Sequence, residues 1–252
     1  MPPRAPLSAW QVESLRVTVF PTSPLEEGTG KEWWTKLTGE LSEEKLSRPK
    51  QGIRQEEGPF EGGRLTFTDQ SVRIDWQLRF MDVSPAEGKL SLGVFLDGLD
   101  SFSKLMSTWL TFETLPPIGR LAFGAIVLLP VSDHDAAYRQ LSAYLADFHV
   151  PEGDVSDFLY QINRPRKSLS NISAMKINRL SKWSAIRLRL EAGITGAESP
   201  PMHLQEKYFC RLELDINTAP DRQEEIPKKQ LPQVFEELVR LGKEIVEEGD
   251  KP

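Results

Sequence analysis

The sequence is poor in the residues that form disulfides and zinc sites. Its 252 residues include one cysteine, Cys210, which cannot form an internal disulfide and is typical of a reducing compartment. The three histidines, His134, His149 and His203, are too widely spaced to predict a zinc site. We therefore expect no metal ion and no other cofactor.

Long apolar runs are also missing. The longest one, from Ala122 to Leu129, is far shorter than the ~20 residues that a membrane-spanning helix needs. The N-terminal residues lack the apolar stretch of a secretory signal. Apolar residues make up 39% of the chain and charged residues 27%, as in ordinary globular proteins. The sequence therefore predicts a soluble cytoplasmic protein that does not enter a membrane.

No familiar catalytic motif is present. The segment Gly28–Lys31 resembles part of a phosphate-binding loop, but the first glycine of that motif is missing and Glu32 stands where Ser or Thr is needed. Asp133 to Asp135 suits the capped start of a helix better than a metal site, because adjacent helical residues point in different directions. Cys210 is in phase with the apolar residues around it, so we expect a buried, unreactive thiol. These patterns favour a protein without enzymatic activity.

Apolar and polar residues alternate in several segments, which is typical of strands with one buried face. This pattern covers residues 13–20, 64–68, 72–80, 89–96 and 207–216. Residues 120–129 are apolar throughout, as expected for a central strand. Residues 171–180 and 184–190 bracket Ser181-Lys182-Trp183, which predicts a hairpin with Trp183 at its tip.

Helical spacing of apolar residues occurs between these strands. It covers residues 31–37, 101–110, 132–148 and 230–246. Residues 39–63, 193–205 and 217–229 have few apolar residues, and we expect long loops there.

The order of these elements predicts an α+β fold, with antiparallel sheets and helices on one face. Each half of the chain shows the pattern β-α-β-β-β-α, so we expect two similar halves, 1–115 and 116–252, either separate or integrated into one unit. Their junction lies within residues 113–119, where Pro-Pro and Gly interrupt the pattern.

Charge is distributed unevenly along the chain. The net charge is −6, but residues 162–190 contain eight basic residues and no acid. Such a segment is a candidate contact surface for an acidic partner or a polyanion. Asn-Arg occurs twice in it, and both side chains offer planar hydrogen-bond donors. The candidate binding residues are Asn163, Arg164, Arg166, Lys167, Lys176, Asn178, Arg179, Lys182 and Trp183.

A structural explanation of this basic segment competes with binding. Glu213 and Asp215 could face Arg187 and Arg189 across neighbouring strands, and opposite charges placed so are worth ~0.2–1 kcal/mol per pair. The acidic end of the last predicted helix could neutralise more of the segment, within the chain or from another copy. Its acids are Glu244, Glu247, Glu248 and Asp250. Internal or intersubunit neutralisation, nucleic acid and a small anionic ligand therefore remain open.

Three functions follow from these patterns. The first is a non-enzymatic interaction or assembly protein, which binds a protein partner or associates with itself into an oligomer through residues 162–190. The second is a nucleic-acid-binding module that uses the same segment. The third is a metal-dependent hydrolase or nuclease, which would need some of its strand-borne carboxylates to converge. The candidates for that role are Asp75, Asp97, Asp100 and Asp215.

Overall fold

The computed structural model describes residues 2–26, 28–79, 91, 93–145, 157–191, 204–221 and 224–251. In these ranges, strands and helices are mixed, and a large antiparallel sheet is the main element, as the α+β prediction requires. The strands are β1 (Gln11–Pro21), β2 (Glu44–Arg48), β3 (Ile53–Phe60), β4 (Gly63–Gln70), β5 (Arg73–Arg79), β6 (Ile118–Val131), β7 (Leu159–Asn163), β8 (Arg166–Lys167), β9 (Lys176–Glu191) and β10 (Leu204–Thr218). The helices are α1 (Trp33–Thr38), α2 (Phe95–Trp109), α3 (His134–Ser142) and α4 (Leu231–Glu248).

The strands lie in the order β2-β3-β4-β5-β1-β6-β10-β9-β7, and the short β8 pairs with β9. The antiparallel pair β1 and β6 therefore holds the centre of the sheet. In its register, Val17 lies opposite Phe123 and Arg16 lies opposite Gly124. Because side chains alternate along a strand, these two neighbouring rows point to opposite faces of the sheet.

The helices of the described ranges pack on one of these two faces. Phe235 of α4 makes an edge-to-face contact with Phe123, with ring centroids 6.3 Å apart. Trp34 of α1 stacks on Trp76 of β5 at 5.9 Å. On α3, the Ala137 carbonyl accepts a hydrogen bond from the Cys210 thiol. A Cβ on Gly98 of α2 would touch Val12.

The opposite face carries polar and charged residues over the central strands. One row crosses it from β5 through β1 and β6 to β10, formed by Gln77, Arg16, Gly124 and Asp215. No helix of the described ranges packs on this row. We call this surface the helix-free face.

The core lies between the helices and the sheet and is rich in aromatic side chains. Trp33, Trp76, Trp109 and Phe67 form one cluster of ring contacts. On the other side of the sheet centre, Trp10, Tyr144 and Trp183 form a second cluster. Ring pairs of this kind contribute about 0.5–1.5 kcal/mol beyond the area that they bury. The first cluster packs α1 and α2 on the sheet, and the second packs the segment after α3 on β9.

The predicted hairpin within residues 171–190 is wrong. Residues 176–191 form one continuous strand, β9, and Trp183 lies near its middle with none of its surface exposed. Ser181-Lys182-Trp183 contains no glycine, proline or asparagine to favour a tight turn. The apolar contacts of Trp183 with the core keep the chain extended there.

The long loop predicted for residues 39–63 is also wrong. Much of it forms β2 and β3, which pair as a hairpin at the edge of the sheet. Every residue of β2 is exposed, so the strand shows no alternation of apolar and polar residues. Charged edge strands of this kind are a common protection against unwanted strand pairing.

The remaining predicted elements are mostly placed as expected. The strands around residues 13–20, 64–68, 72–80, 120–129 and 207–216 and the helices around 31–37, 101–110 and 230–246 are all present. The strand predicted for 89–96 is wrong, because its described residues form only an isolated bridge of Val94 with Gln11, and Phe95 and Leu96 begin α2. Most of the loop predicted for 193–205 lies outside the described residues. Of the helix predicted for 132–148, α3 covers the first part, and Asp133 caps it by accepting the Ala136 N–H at 2.7 Å. No helix in the described ranges has the length and apolarity of a membrane span.

Candidate binding site on the helix-free face

The basic segment is divided between the two faces of the sheet, because side chains alternate along β7 and β9. Arg164 and Arg179 turn toward the end of α4, where their carboxylate partners lie. Asn163, Asn178 and Lys182 lie on the helix-free face. Trp183 is in the core and is therefore not at the surface. The residues predicted to form one contact surface are thus not brought together.

On the side of the helices, arginines of the segment are paired with acids of α4 and the residues after it. Arg164 binds Asp250 at 2.6 Å, and Arg166 binds Glu244 at 2.8 Å. Arg179 is 3.3 Å from Glu244, and its side chain is only 2% exposed. Burial, together with repulsion from Arg166, lowers the pKa of Arg179. The expected neutralisation by Glu244 and Asp250 is therefore present.

Asp250 is the most strongly bonded of these acids. Burial acts to raise its pKa, but hydrogen bonds from Arg164 and Tyr160 outweigh this effect and lower the pKa below its ordinary value of 3.8. In turn, burial and the hydrogen bond to Asp250 raise the pKa of Tyr160 to about 12. Asp250 is therefore a charged anchor for β7.

Most of the other basic residues of the segment have partners on β10 or near it. Arg189 binds Glu206 at 2.9 Å, and Arg187 is 3.9 Å from the same carboxylate. Lys182 binds Glu213 at 2.9 Å. The sequence predicts Glu213 or Asp215 as the partner of Arg187 and Arg189. The register instead places Glu213 opposite Lys182 and Glu206 opposite Arg189. Two further members lie near the ends of the strands: Lys176, which is 3.7 Å from Asp221, and the exposed Lys167.

The repeated Asn-Arg pairs join strands together. Asn163 donates to Asn178 at 3.1 Å, Asn178 donates to Asn217 at 3.1 Å, and Asn217 donates to Asp215 at 3.0 Å. Asn163 also accepts the backbone N–H of Arg179 at 2.9 Å. This chain of amides crosses the helix-free face from β7 to β10 and ends beside the centre of the sheet.

A groove of about 360 Å³ lies at that centre. Gly124 forms part of its floor, because a residue without a side chain leaves space between β1 and β10. Arg16 lies over this floor, with its Nε and Nη2 atoms 3.4 Å from the position that a Cβ of Gly124 would occupy. The polar lining of the groove includes Ser14, Arg16, Gln77, Lys182, Glu213 and Asp215.

Arg16 differs from the other partly or fully buried arginines of the described ranges, because it has no hydrogen bond or ion pair with any described residue. Arg120 donates to the Thr218 carbonyl and lies over the Phe20 ring. The other members of this group are all within ion-pair distance of a carboxylate. They are Arg54, Arg64, Arg73, Arg164, Arg166, Arg179 and Arg211. Guanidinium groups removed from water are normally paired in this way.

The two acids of the groove differ in their partners. Glu213 accepts from Lys182 and Arg211; burial acts to raise its pKa, but these bonds lower it overall. Asp215 accepts from Asn217 and forms no ion pair with a described residue. Among the described residues, the groove thus holds a cation without an anion, Arg16, and a carboxylate without a cation, Asp215, on the strands on either side of Gly124.

No pattern in the sequence indicates this site. Arg16, Gln77, Gly124 and Asp215 come from four strands and are far apart in the chain. Only the register of the sheet places them in one row.

The four carboxylates considered for metal-dependent catalysis do not converge. Asp75 and Asp215 lie on β5 and β10, which are three strand spacings or ~14 Å apart. Asp75 accepts a hydrogen bond from the Thr18 hydroxyl at 2.5 Å and forms an ion pair with Arg73. Asp97 and Asp100 are exposed on α2. Among the described residues, no group of three or more His, Cys, Asp or Glu side chains is arranged to hold a metal ion.

No protein-family model matches the sequence, and no curated protein is significantly similar to it.

Proposed function

We propose that this chain is a non-enzymatic assembly protein that associates with a second copy of itself through the helix-free face. The observation that carries the proposal is that Arg16 and Asp215, on the strands on either side of Gly124, have no ion-pair partner among the described residues. The proposed surface retains Asn163, Asn178 and Lys182 of the basic segment.

The placement of these two charges suits a symmetric contact. A twofold axis that runs along β6, between two facing sheets, would exchange the β1 side of one copy with the β10 side of the other. Arg16 of each copy would then lie over Asp215 of its partner. A contact of this kind is self-complementary, as the interface of a twofold dimer must be. It would form two identical ion pairs.

An apolar cluster beside the groove supports the same surface. Leu128 and Phe209 lie on the helix-free face, and Ile186 and Leu188 pack against them. Ile186 and Leu188 are half-buried, so part of their apolar surface is available for contact. An apolar centre next to polar and charged groups is the usual composition of a protein interface.

We also propose that the chain consists of two related halves, 1–115 and 116–252. Each half begins with a central strand that pairs with the last strand of the same half. In the first half β1 pairs with β5, and in the second half β6 pairs with β10. Each half also places one helix after its first strand and one after its last. Co-expression of the two halves as separate chains tests this proposal. We expect them to copurify as a folded complex, whereas a break within the β3–β4 hairpin should not give one.

Sedimentation of the full chain over a range of concentrations tests the proposed function. We expect the mass to rise above the 28.6 kDa of one chain as the concentration increases. Ile186→Glu should remain monomeric, because it places a charge in the apolar part of the interface. The control Leu41→Glu changes a leucine that is 77% exposed near the far edge of the sheet, and it should associate like the wild type.

A wild-type chain that is monomeric at every concentration would contradict the proposal. In that case, retention of DNA or RNA at low salt would favour the nucleic-acid alternative.

A further inference from the structure

We infer that the groove around Arg16 is a binding site for a small carboxylate that also carries a hydrogen-bond donor, as an amino acid does. The groove lies within the contact face of the proposed function, and to that extent the inference rests on it. Its occupant would take the place of the Asp215 carboxylate of a second copy. Small carboxylates would therefore compete with assembly.

Arg16 supplies the first half of this recognition. Arg16 is partly buried, yet no described residue offers its guanidinium an acceptor. A planar guanidinium binds a carboxylate through two parallel hydrogen bonds, and such charged bonds are about twice as strong as neutral ones. Because Gly124 has no side chain, the guanidinium lies directly over it, and Arg16 lines the open volume of the groove.

Asp215 supplies the second half. Its carboxylate accepts one described hydrogen bond, from Asn217, and an ionised carboxylate can accept several more. In the row across the sheet, Asp215 and Arg16 are two strand spacings or ~10 Å apart at their backbones. Both residues line the groove, so a ligand in it can present an anion to Arg16 and a donor to Asp215.

The surroundings select against other anions. Lys182 neutralises Glu213 in the groove, but Asp215 has no described cation beside it, so a doubly charged phosphate would be repelled more than a carboxylate with a single charge. The volume of about 360 Å³ is at the lower end for ligand pockets, which favours a small molecule over a large one. An ammonium group on the ligand would lower the net charge that the site must accept.

Nuclear magnetic resonance of the arginine Nε–H groups tests this inference on the full chain, at a concentration below that at which it associates. The resonance of Arg16 is identified by its loss in Arg16→Gln. Acetate, glycine and inorganic phosphate are the probes. We expect a saturable shift with acetate, at least tenfold tighter binding of glycine, and no saturable shift with phosphate.

The variants separate the two halves of the site. Asp215→Asn should reduce the tenfold preference for glycine over acetate and leave acetate bound at least as tightly as before, which a merely structural role would not do. Arg16→Lys keeps the charge but loses the planar fork, so it should weaken both probes. Arg120→Gln, on the same face, should change nothing. No saturable shift of Arg16, or a shift that is equal for all three anions, would overturn the inference.

This outcome is distinguishable from failure of the proposed function. If carboxylates bind but the mass does not rise with concentration, the assembly proposal is refuted and the carboxylate site stands. If the chain assembles, no carboxylate weakens the assembly and the Arg16 resonance does not shift, the carboxylate site is refuted and the assembly proposal stands.

Discussion

Arg164 donates two hydrogen bonds to Asp250, at 2.6 and 3.0 Å, and so joins β7 to a residue just beyond the end of α4. The Tyr160 hydroxyl donates to the same carboxylate at 2.7 Å. The backbone N–H of Asp250 donates to the Tyr144 carbonyl at 2.8 Å. Asp250 therefore connects the end of α4 with β7 and with the segment after α3.

Asp250→Asn is expected to lower the free energy of unfolding by about 1.5–3 kcal/mol near neutral pH, because a charged hydrogen-bond acceptor is lost. The pKa of Asp250 is lowered in the folded state. Its contribution is therefore complete above the ordinary carboxyl pKa of 3.8 and is lost as the pH falls through the folded pKa. Urea denaturation at several pH values should show a smaller loss of stability in acid for the variant than for the wild type. The exposed pair of Lys176 and Asp221 is the control, since Asp221→Asn should cost less than about 0.5 kcal/mol.

Gly249→Ala is expected to be much more damaging than Gly39→Ala. Both glycines have φ of +77°, where a side chain is strained. A Cβ at Gly39 would meet nothing, so we expect a cost of about 1–2 kcal/mol. At Gly249 a Cβ would collide with the Tyr144 backbone, which raises the expected cost above about 3 kcal/mol. Equal midpoints of thermal unfolding for the two variants would contradict this.

Arg179→Met is expected to be nearly neutral or stabilising. The Arg179 side chain is 2% exposed, and its Nε and Nη1 atoms have no hydrogen-bond partner in the described structure. Replacing a poorly satisfied buried charge with an apolar side chain removes a cost of desolvation. Arg164→Met should instead cost about 3 kcal/mol, because it leaves the buried Asp250 carboxylate without its main cation. Chemical denaturation distinguishes the two, and a large loss for Arg179→Met would show that its single ion pair dominates.

Cys210 is expected to resist thiol reagents in the folded protein. Burial raises the pKa of its thiol to about 12, so almost none of it is the reactive thiolate near neutral pH. The rate of modification in urea should follow the fraction of unfolded chain. Rapid labelling of the native protein would show that β10 opens locally beneath α3.

Much of the architecture is predictable because the signals are local. The alternation in β5 and the helical spacing in α4 depend on burial of one side of each element, and the sequence shows this directly. The wrong predictions, the loop at 39–63 and the hairpin within 171–190, also follow from this dependence on a buried side. The exposed strand β2 has no buried side to mark it, and Trp183 of β9 shows its role only through contacts with Trp10 and Tyr144.

The candidate site was not predictable from local patterns. The basic segment was conspicuous in the sequence, but its charges alternate between two faces and are largely matched by acids such as Glu244 and Asp250. The importance of Arg16 depends on its having no such partner. That property depends on the register of β1, β6 and β10, which pairs residues from distant parts of the chain.

The most direct measurement is a charge-swap cycle between Arg16 and Asp215, followed by sedimentation equilibrium. Arg16→Asp and Asp215→Arg should each weaken self-association at least tenfold, equivalent to about 1.4 kcal/mol, because each places like charges opposite each other in the twofold contact. The double variant should restore the wild-type association, since its two charges again face their opposites. Single variants that associate like the wild type, or a double variant that remains as weak as the singles, would contradict a contact between copies through this pair.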